Sequence, residues 1–257
     1  MVSNPLAGVG FFIRGITLLN KPGVKRWVAI PLLINTLLFA LLFYVAYTQF
    51  GTLLEWLMSY LPEWAQSWLA WLLWPIFVIA AAIIMFFTFS VVANLIGAPF
   101  NGYLAAAVER YLSGQPPPES QRGVASEPWL AILGELRKLL YFVLWAIPLV
   151  LLTIFPLTSF FAPFLWALFG AWMLALEYLD YPMGNHGKTF PDVRAVVRQK
   201  RVMSLGFGGA VTIGTMLPLF NFIVMPVAVA GATAYWYDQL KRLPSHSETD
   251  KPTRGSA

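Results

Sequence analysis

The chain has 257 residues, of which 58% are hydrophobic and only 11% are charged, and its formal net charge is +5. This composition excludes a soluble domain with a polar surface and indicates an integral membrane protein. Cysteine is absent, which excludes disulfide frameworks, cysteine nucleophiles and thiolate metal sites.

Residues 1–26 precede the first uncharged run and end in a basic turn. Arg14 follows apolar residues, a pattern that indicates an interfacial amphipathic helix leading into the turn. Proline suits the first turn of a helix, so we predict that the next helix begins near Pro22. The first backbone N–H groups of a helix have no partner within it, and with the helix dipole they favour an oxyanion. These groups would belong to Gly23, Val24, Lys25 and Arg26.

The charges of the turn allow two interpretations. Lys25 and Arg26 oppose the helix dipole where Asp or Glu would be favoured, and a bound anion would relieve that conflict. Alternatively, the two side chains reach lipid phosphates and only anchor the helix in the membrane. The turn alone does not decide between an anion site and an anchor.

Four runs lack Asp, Glu, Lys and Arg: residues 27–54, 64–108, 139–176 and 202–237. A membrane span needs about 20 residues, because the hydrocarbon core is about 30 Å thick. The first two runs predict transmembrane helices. These helices cover residues 27–48 and 64–98.

The third and fourth runs are broken by prolines. Pro156 and Pro163 bracket a short stretch in one, and Pro218 and Pro226 do so in the other. Because proline disrupts a helix, we expect no helix to run through both members of either pair. The uncharged arms after the second prolines are shorter than a span. We therefore predict two re-entrant, hemi-penetrating helical hairpins, at residues 139–176 and 202–237.

The basic residues give an independent prediction of topology. None of the 17 Lys and Arg residues lies in residues 49–63, which we place outside the cell. With two spans and two hairpins, all 17 are cytoplasmic, as are both termini. Two internal segments are predicted to be cytoplasmic: residues 99–138, with amphipathic helices and a loop, and residues 177–201. We predict a single membrane domain over residues 1–242, followed by a disordered cytoplasmic tail over residues 243–257.

Polar residues near the membrane bear on transport. Asn35 and Asn221 are our candidates for lining a pathway, although each is more often a packing or capping residue. The carboxylates nearest to the runs are Glu109, Glu177 and Asp180, for which we expect solvated or ion-paired structural roles. This favours channel-like, downhill flux over proton coupling.

Several motifs resemble those of one family. Residues 18–35, LLNKPGVKRWVAIPLLIN, resemble the N-terminal signature of the bacterial CysZ sulfate permease family, and three further stretches match in order. The resemblance implies an inner-membrane protein that admits sulfate for cysteine biosynthesis, with sulfate bound at the Pro-Gly-basic-basic turn. The family usually has two arginines in this turn, whereas position 25 is Lys, which cannot make the bidentate contact of arginine. The further matches are residues 98–102, residues 171–182 with His186, and residues 225–234.

Other functions remain open at this point. A proton-coupled sulfate transporter, an anion-binding scaffold and a lipid-phosphate enzyme are the alternatives. The enzyme would need a convergent base, nucleophile or metal cluster, and the sequence offers none, so we expect no catalytic residue, metal site or cofactor. We expect sulfate and the bilayer as partners and no nucleic acid. Because the turns of re-entrant hairpins must pack against protein, we also expect a homo-oligomer.

Overall fold

The computed structural model of the chain describes residues 4–115 and 127–244, and most of these residues are helical. No strand occurs among them, so the all-α fold class is confirmed. The helices of this described part are α1 Pro5–Leu19, α2 Lys25–Met58, α3 Glu63–Ser113, α4 Glu127–Ile154, α5 Ala162–Asn185, α6 Phe190–Gln199, α7 Arg201–Met216 and α8 Pro218–Tyr235, and a π-helical turn, Trp236–Leu240, follows α8.

The chain divides into two compact units. One is Val28–Phe100, and the other joins Met1–Trp27 to Asn101–Ala257. In the first unit, α2 buries none of its side chains and is long and apolar enough to cross a membrane. An apolar helix whose faces are not covered by protein requires lipid around it. The predicted span at residues 27–48 lies within this helix.

The connection between the first two long helices is shorter than predicted. The sequence predicts an outside segment over residues 49–63, whereas α2 continues to Met58 and α3 begins at Glu63. Residues 64–98 lie within α3, and that they span the membrane remains a prediction; the side chains of residues 85–98 lie outside what the structure describes.

The C-terminal part of α3 also differs from the prediction. The sequence predicts a separate cytoplasmic helix after residue 98, whereas α3 is continuous through Pro99 to Ser113. It ends at Gly114, whose φ of 74° is a left-handed conformation that favours glycine after a helix. Most of the loop predicted within residues 99–138, and residues 245–257 of the tail predicted over residues 243–257, lie outside the described residues.

Helices α4 and α5 form the predicted helix-turn-helix. The chain turns over residues 155–161, between the two prolines of the third run. Near the turn, the indole N–H of Trp166 donates to Thr153 Oγ1 at 3.1 Å, and farther away that of Trp172 donates to the Tyr141 hydroxyl at 3.1 Å. Residues at increasing distance from the turn therefore face each other, as in an antiparallel hairpin.

The prediction that the arm after Pro163 is too short to span is wrong. Helix α5 has 24 residues, about 36 Å at 1.5 Å per residue. It continues past the uncharged run, and its charged residues Glu177 and Asp180 form ion pairs with Lys138 of α4. Both arms, Leu133–Ile154 and Ala162–Asn185, are long and apolar enough to cross a membrane. The depth of this hairpin remains a prediction.

Helices α7 and α8 form the second hairpin, with its turn at Leu217. The hydroxyls of Ser204 and Tyr235 lie 2.9 Å apart, which pairs the start of α7 with the end of α8. The prediction of a turn between Pro218 and Pro226 is wrong, because α8 runs through Pro226. An interior proline costs about 3 kcal/mol, and burial of the apolar residues around it offsets that cost.

The core of the larger unit forms where α1 packs on α7 and α8, and α5 on α7. Glycine allows these close approaches: a β-carbon at Gly8 would lie 1.9 Å from the carbonyl oxygen of Met203, and one at Gly208 would lie 1.8 Å from that of Ala171. Helix α1 is thus packed against protein on one face. Its other face exposes Leu6.

Candidate functional site

The basic turn, residues 21–26, is stabilised by backbone hydrogen bonds between residues three positions apart. The N–H of Lys21 donates to Leu18 O at 3.0 Å, and the N–H of Val24 donates to Lys21 O at 3.1 Å. Gly23 has a φ of 81°, a conformation that other residues adopt only with strain. The side chain of Val24 is fully buried and fixes the turn to the protein.

The structure differs here from the sequence prediction. The helix begins at Lys25 rather than near Pro22. The N–H of Val24 is not free, because Lys21 O accepts it. Among the described residues, no backbone acceptor faces the N–H groups of the other three predicted members, Gly23, Lys25 and Arg26.

The turn borders a cavity of about 270 Å³. This volume is many times the ~15 Å³ that is needed to hold one water molecule, which leaves room for a hydrated tetrahedral oxyanion. Pro22, Gly23 and Arg26 line one side. The facing side is one stripe of α3, with the spacing of residues that share a helix face: Tyr103, Ala106, Ala107, Arg110 and Tyr111.

Two guanidinium groups contribute to this cavity. Arg26 and Arg110 both line it, and among the described residues neither forms an ion pair with a carboxylate. Arginine presents planar N–H donors that match the oxygens of sulfate and phosphate. The arrangement therefore offers charge and directed donors to an oxyanion.

Aromatic rings hold the cations of the turn in place. Trp27 stacks on Tyr103, with ring centroids 4.9 Å apart, and the guanidinium carbon of Arg26 lies 5.2 Å from the Trp27 ring. Lys21 Nζ lies 5.7 Å from the ring of Tyr111. These contacts connect the turn to the helix face across the cavity and restrict the positions of the basic side chains.

The opposite face of α3 is fixed by a buried ionic cluster. Glu109, adjacent to Arg110, is almost fully buried, and it contacts His186 Nε2 at 2.8 Å and Lys241 Nζ at 2.9 Å. Asn185 donates to Gly102 O at 2.9 Å. These bonds fix α3 on the side away from the cavity. They therefore also fix the position from which the Arg110 side chain extends.

The acids near the uncharged runs are ion-paired in the structure. Burial alone would raise the pKa of Glu109, but hydrogen bonds from His186 and Lys241 outweigh burial and lower it. Glu177 and Asp180 both form ion pairs with Lys138. The three carboxylates thus have the structural contacts that the sequence analysis expected.

The remaining predicted site residues are placed as follows. Lys25 is exposed at the start of α2 and does not line the cavity. Asn221 is exposed in the first turns of α8. Asn35 belongs to the other unit, and among the described residues its buried Oδ1 has no hydrogen-bond partner. The described residues contain no group of three or more His, Asp or Glu side chains that could hold a metal ion.

The position of Arg110 in this cavity was not predicted from the sequence. The helix that carries this residue was predicted, but no motif connects position 110 to the turn 84 residues earlier. The helical spacing of Tyr103, Arg110 and Tyr111 was a visible signal, since it places an arginine between two aromatic rings on one face.

One comparison with known proteins bears on this site. The model of a protein family described as Sulfate transporter CysZ/Etoposide-induced protein 2.4 matches residues 11–226. The match includes both sides of the cavity, the basic turn and Arg110.

Proposed function

The chain belongs to the family described as Sulfate transporter CysZ/Etoposide-induced protein 2.4, and on this premise we propose that it is a sulfate permease of the bacterial inner membrane. In this proposal it admits sulfate for cysteine biosynthesis, with both termini in the cytoplasm. One observation carries the proposal: Arg26 and Arg110 line a single cavity beside the basic turn, and no carboxylate of the described residues pairs with either.

Sulfate would bind between the turn and α3. Arg26 and Arg110 would donate from two sides, and the N–H of Gly23 would donate from the turn, whose φ keeps the backbone accessible. Lys25 lies beside the cavity and would contribute charge rather than a directed bond. We expect sulfate binding at these cations to weaken as the salt concentration rises, because ions screen the attraction.

We propose downhill rather than proton-coupled flux. A coupled cycle generally needs a titratable group that is free to load and release a proton along the pathway. Glu109, the carboxylate nearest the cavity in sequence, is paired with His186 and Lys241, which lower its pKa, whereas Glu177 and Asp180 share a single cation, Lys138. The proposed path continues from the cavity along the interior of a homo-oligomer, with Asn35 and Asn221 as pathway residues.

Uptake of radiolabelled sulfate into proteoliposomes tests this function. We expect uptake to exceed that of protein-free liposomes, and to be similar with and without an imposed pH gradient. Uptake that requires the gradient would favour the proton-coupled transporter. No uptake, together with retained sulfate binding, would favour an anion-binding scaffold.

A further inference from the structure

A second concave site lies in the larger unit, away from the basic turn. It is a groove of about 530 Å³ between the α4–α5 hairpin and the helices α6 and α7. This volume is in the range of sites that bind small molecules. We call it the arginine groove, because Arg194, Arg198 and Arg201 line one part of it.

The remainder of the groove is apolar. Tyr141, Trp145 and Leu149 lie at intervals of four residues on one face of α4 and extend over about 12 Å of helix. Leu168 and Trp172 of α5 face the same space. A groove with these walls would accept a hydrocarbon chain rather than a water-soluble molecule.

The polar end of the groove is defined by contacts. The guanidinium carbon of Arg194 lies 5.3 Å from the ring of Tyr141, and the hydroxyl of Tyr141 accepts from Trp172 Nε1 at 3.1 Å. Leu149 is two helical turns farther along α4, toward the hairpin turn. The groove therefore has a cationic end and an apolar end, separated by amphipathic aromatic side chains of the kind found at the membrane interface.

The arginines are held in place by the local fold. A capping box between Thr189 and Asp192 begins α6, whose buried face contains Val193 and Val197. This leaves Arg194 and Arg198, four residues apart, on the same side of the helix. The backbone carbonyl of Arg198 accepts from Nε of Arg201, which connects the third arginine to the same end.

The three arginines need an anion. Among the described residues, none of them forms an ion pair with a carboxylate. A sulfate or phosphate ion would satisfy the charges but leave the apolar walls unfilled. An anionic phospholipid satisfies both, with its phosphate at the arginines and one acyl chain along the groove.

We propose that the arginine groove binds one anionic phospholipid, with the phosphate between Arg194, Arg198 and Arg201 and an acyl chain along Tyr141, Trp145 and Leu149. The lipid fills the space between the hairpin and α6, and so it fixes the hairpin against the rest of the unit. This site is separate from the sulfate cavity, so it does not depend on the proposed transport.

Native mass spectrometry of the delipidated full chain in detergent tests the site. The probes are dioleoylphosphatidylglycerol and zwitterionic dioleoylphosphatidylcholine. We expect phosphatidylglycerol to bind at least about tenfold more tightly, with one tight site per chain. Equal binding of the two lipids would overturn the proposal.

Two variants identify the location. Arg194→Gln with Arg198→Gln should weaken phosphatidylglycerol binding about tenfold or more, whereas Arg137→Gln with Arg242→Gln removes the same charge from exposed positions outside the groove and should have no effect. Leu168→Trp, at a position that is 55% exposed, should reduce binding by filling the groove without removing charge. Unchanged binding in both groove variants would exclude this location.

Two further results would contradict a lipid occupant. If inorganic phosphate at millimolar concentration displaced the lipid completely, the arginines would be a site for a free anion. If lipid bound only to monomers and dimers carried none, the groove would be an interface between copies of the chain.

Discussion

Arg26 and Arg110 are the two residues on which the proposed anion site mainly depends, because they line the same cavity. The dipole of α2 already places partial positive charge at Lys25 and Arg26, so the two cations raise an unfavourable potential that an anion would lower. Arg110 adds a third cation, held in position by the bonds of Glu109 behind it. In the proposed function, a bound sulfate would relieve the repulsion among these three cations.

Replacing Arg110 tests whether both sides of the cavity contribute. We expect Arg110→Gln to weaken sulfate binding about tenfold, or ~1.4 kcal/mol, because one charge-assisted contact is lost at a partly solvated site. Equilibrium binding of radiolabelled sulfate to the purified protein measures this. Arg137→Gln, an exposed arginine outside the cavity, is the matched control. Equal affinity of the Arg110 variant and the control would show that sulfate does not contact α3.

At the scale of elements, close helix packing stabilises the larger unit. Gly8 lies where the carbonyl oxygen of Met203 approaches α1, whereas Gly10, on the same helix, has open space around it. Alanine normally favours a helix over glycine by about 1 kcal/mol. The effect of adding one methyl group should therefore change sign between the two positions.

Thermal unfolding in detergent measures this difference. We expect Gly8→Ala to lower Tm by several degrees, because α1 must move away from α7, and Gly10→Ala to leave Tm unchanged or slightly raised. If the two variants had the same Tm, the packing of α1 on α7 would not contribute to stability.

Prolines show what the sequence could and could not predict about these elements. The turn between Pro156 and Pro163 was predictable, because both prolines suit a turn or a helix start. Pro226 has a similar sequence context but lies inside α8. The difference comes from burial around that helix, which depends on contacts with distant residues. The candidate site shows the same difference. The basic turn is a local motif and was predictable from the sequence, whereas Arg110 lies beside the turn only because of tertiary packing.

For the whole molecule, the depth of the two hairpins determines how many times the chain crosses the membrane. A hairpin that turns back inside the bilayer and one that crosses it fully place the same basic segments in the cytoplasm, so charge placement does not separate them. The first hairpin is long enough for either arrangement. Helix α7, at 16 residues or about 24 Å, is shorter than the hydrocarbon core, which supports a re-entrant second hairpin.

Single-cysteine labelling tests the depth of the first hairpin, since the chain has no native cysteine. In sealed, right-side-out vesicles, a membrane-impermeant maleimide should label Ser59→Cys, between α2 and α3, and should not label Ser159→Cys in the hairpin turn or Arg242→Cys. Labelling after solubilisation shows that each thiol is reactive. External labelling of Ser159→Cys would show that the hairpin crosses the membrane.

Sulfate uptake into proteoliposomes by the variant Lys25→Ala with Arg26→Ala tests whether the basic turn holds sulfate on its way through the membrane. Arg137→Ala with Arg242→Ala removes the same charge at exposed sites and serves as the control, and detergent chromatography shows that both variants fold. We predict that uptake falls about tenfold or more in the turn variant and is retained in the control. Unchanged uptake in a folded turn variant would show that the turn does not hold sulfate during transport, and would leave the two cations as membrane anchors.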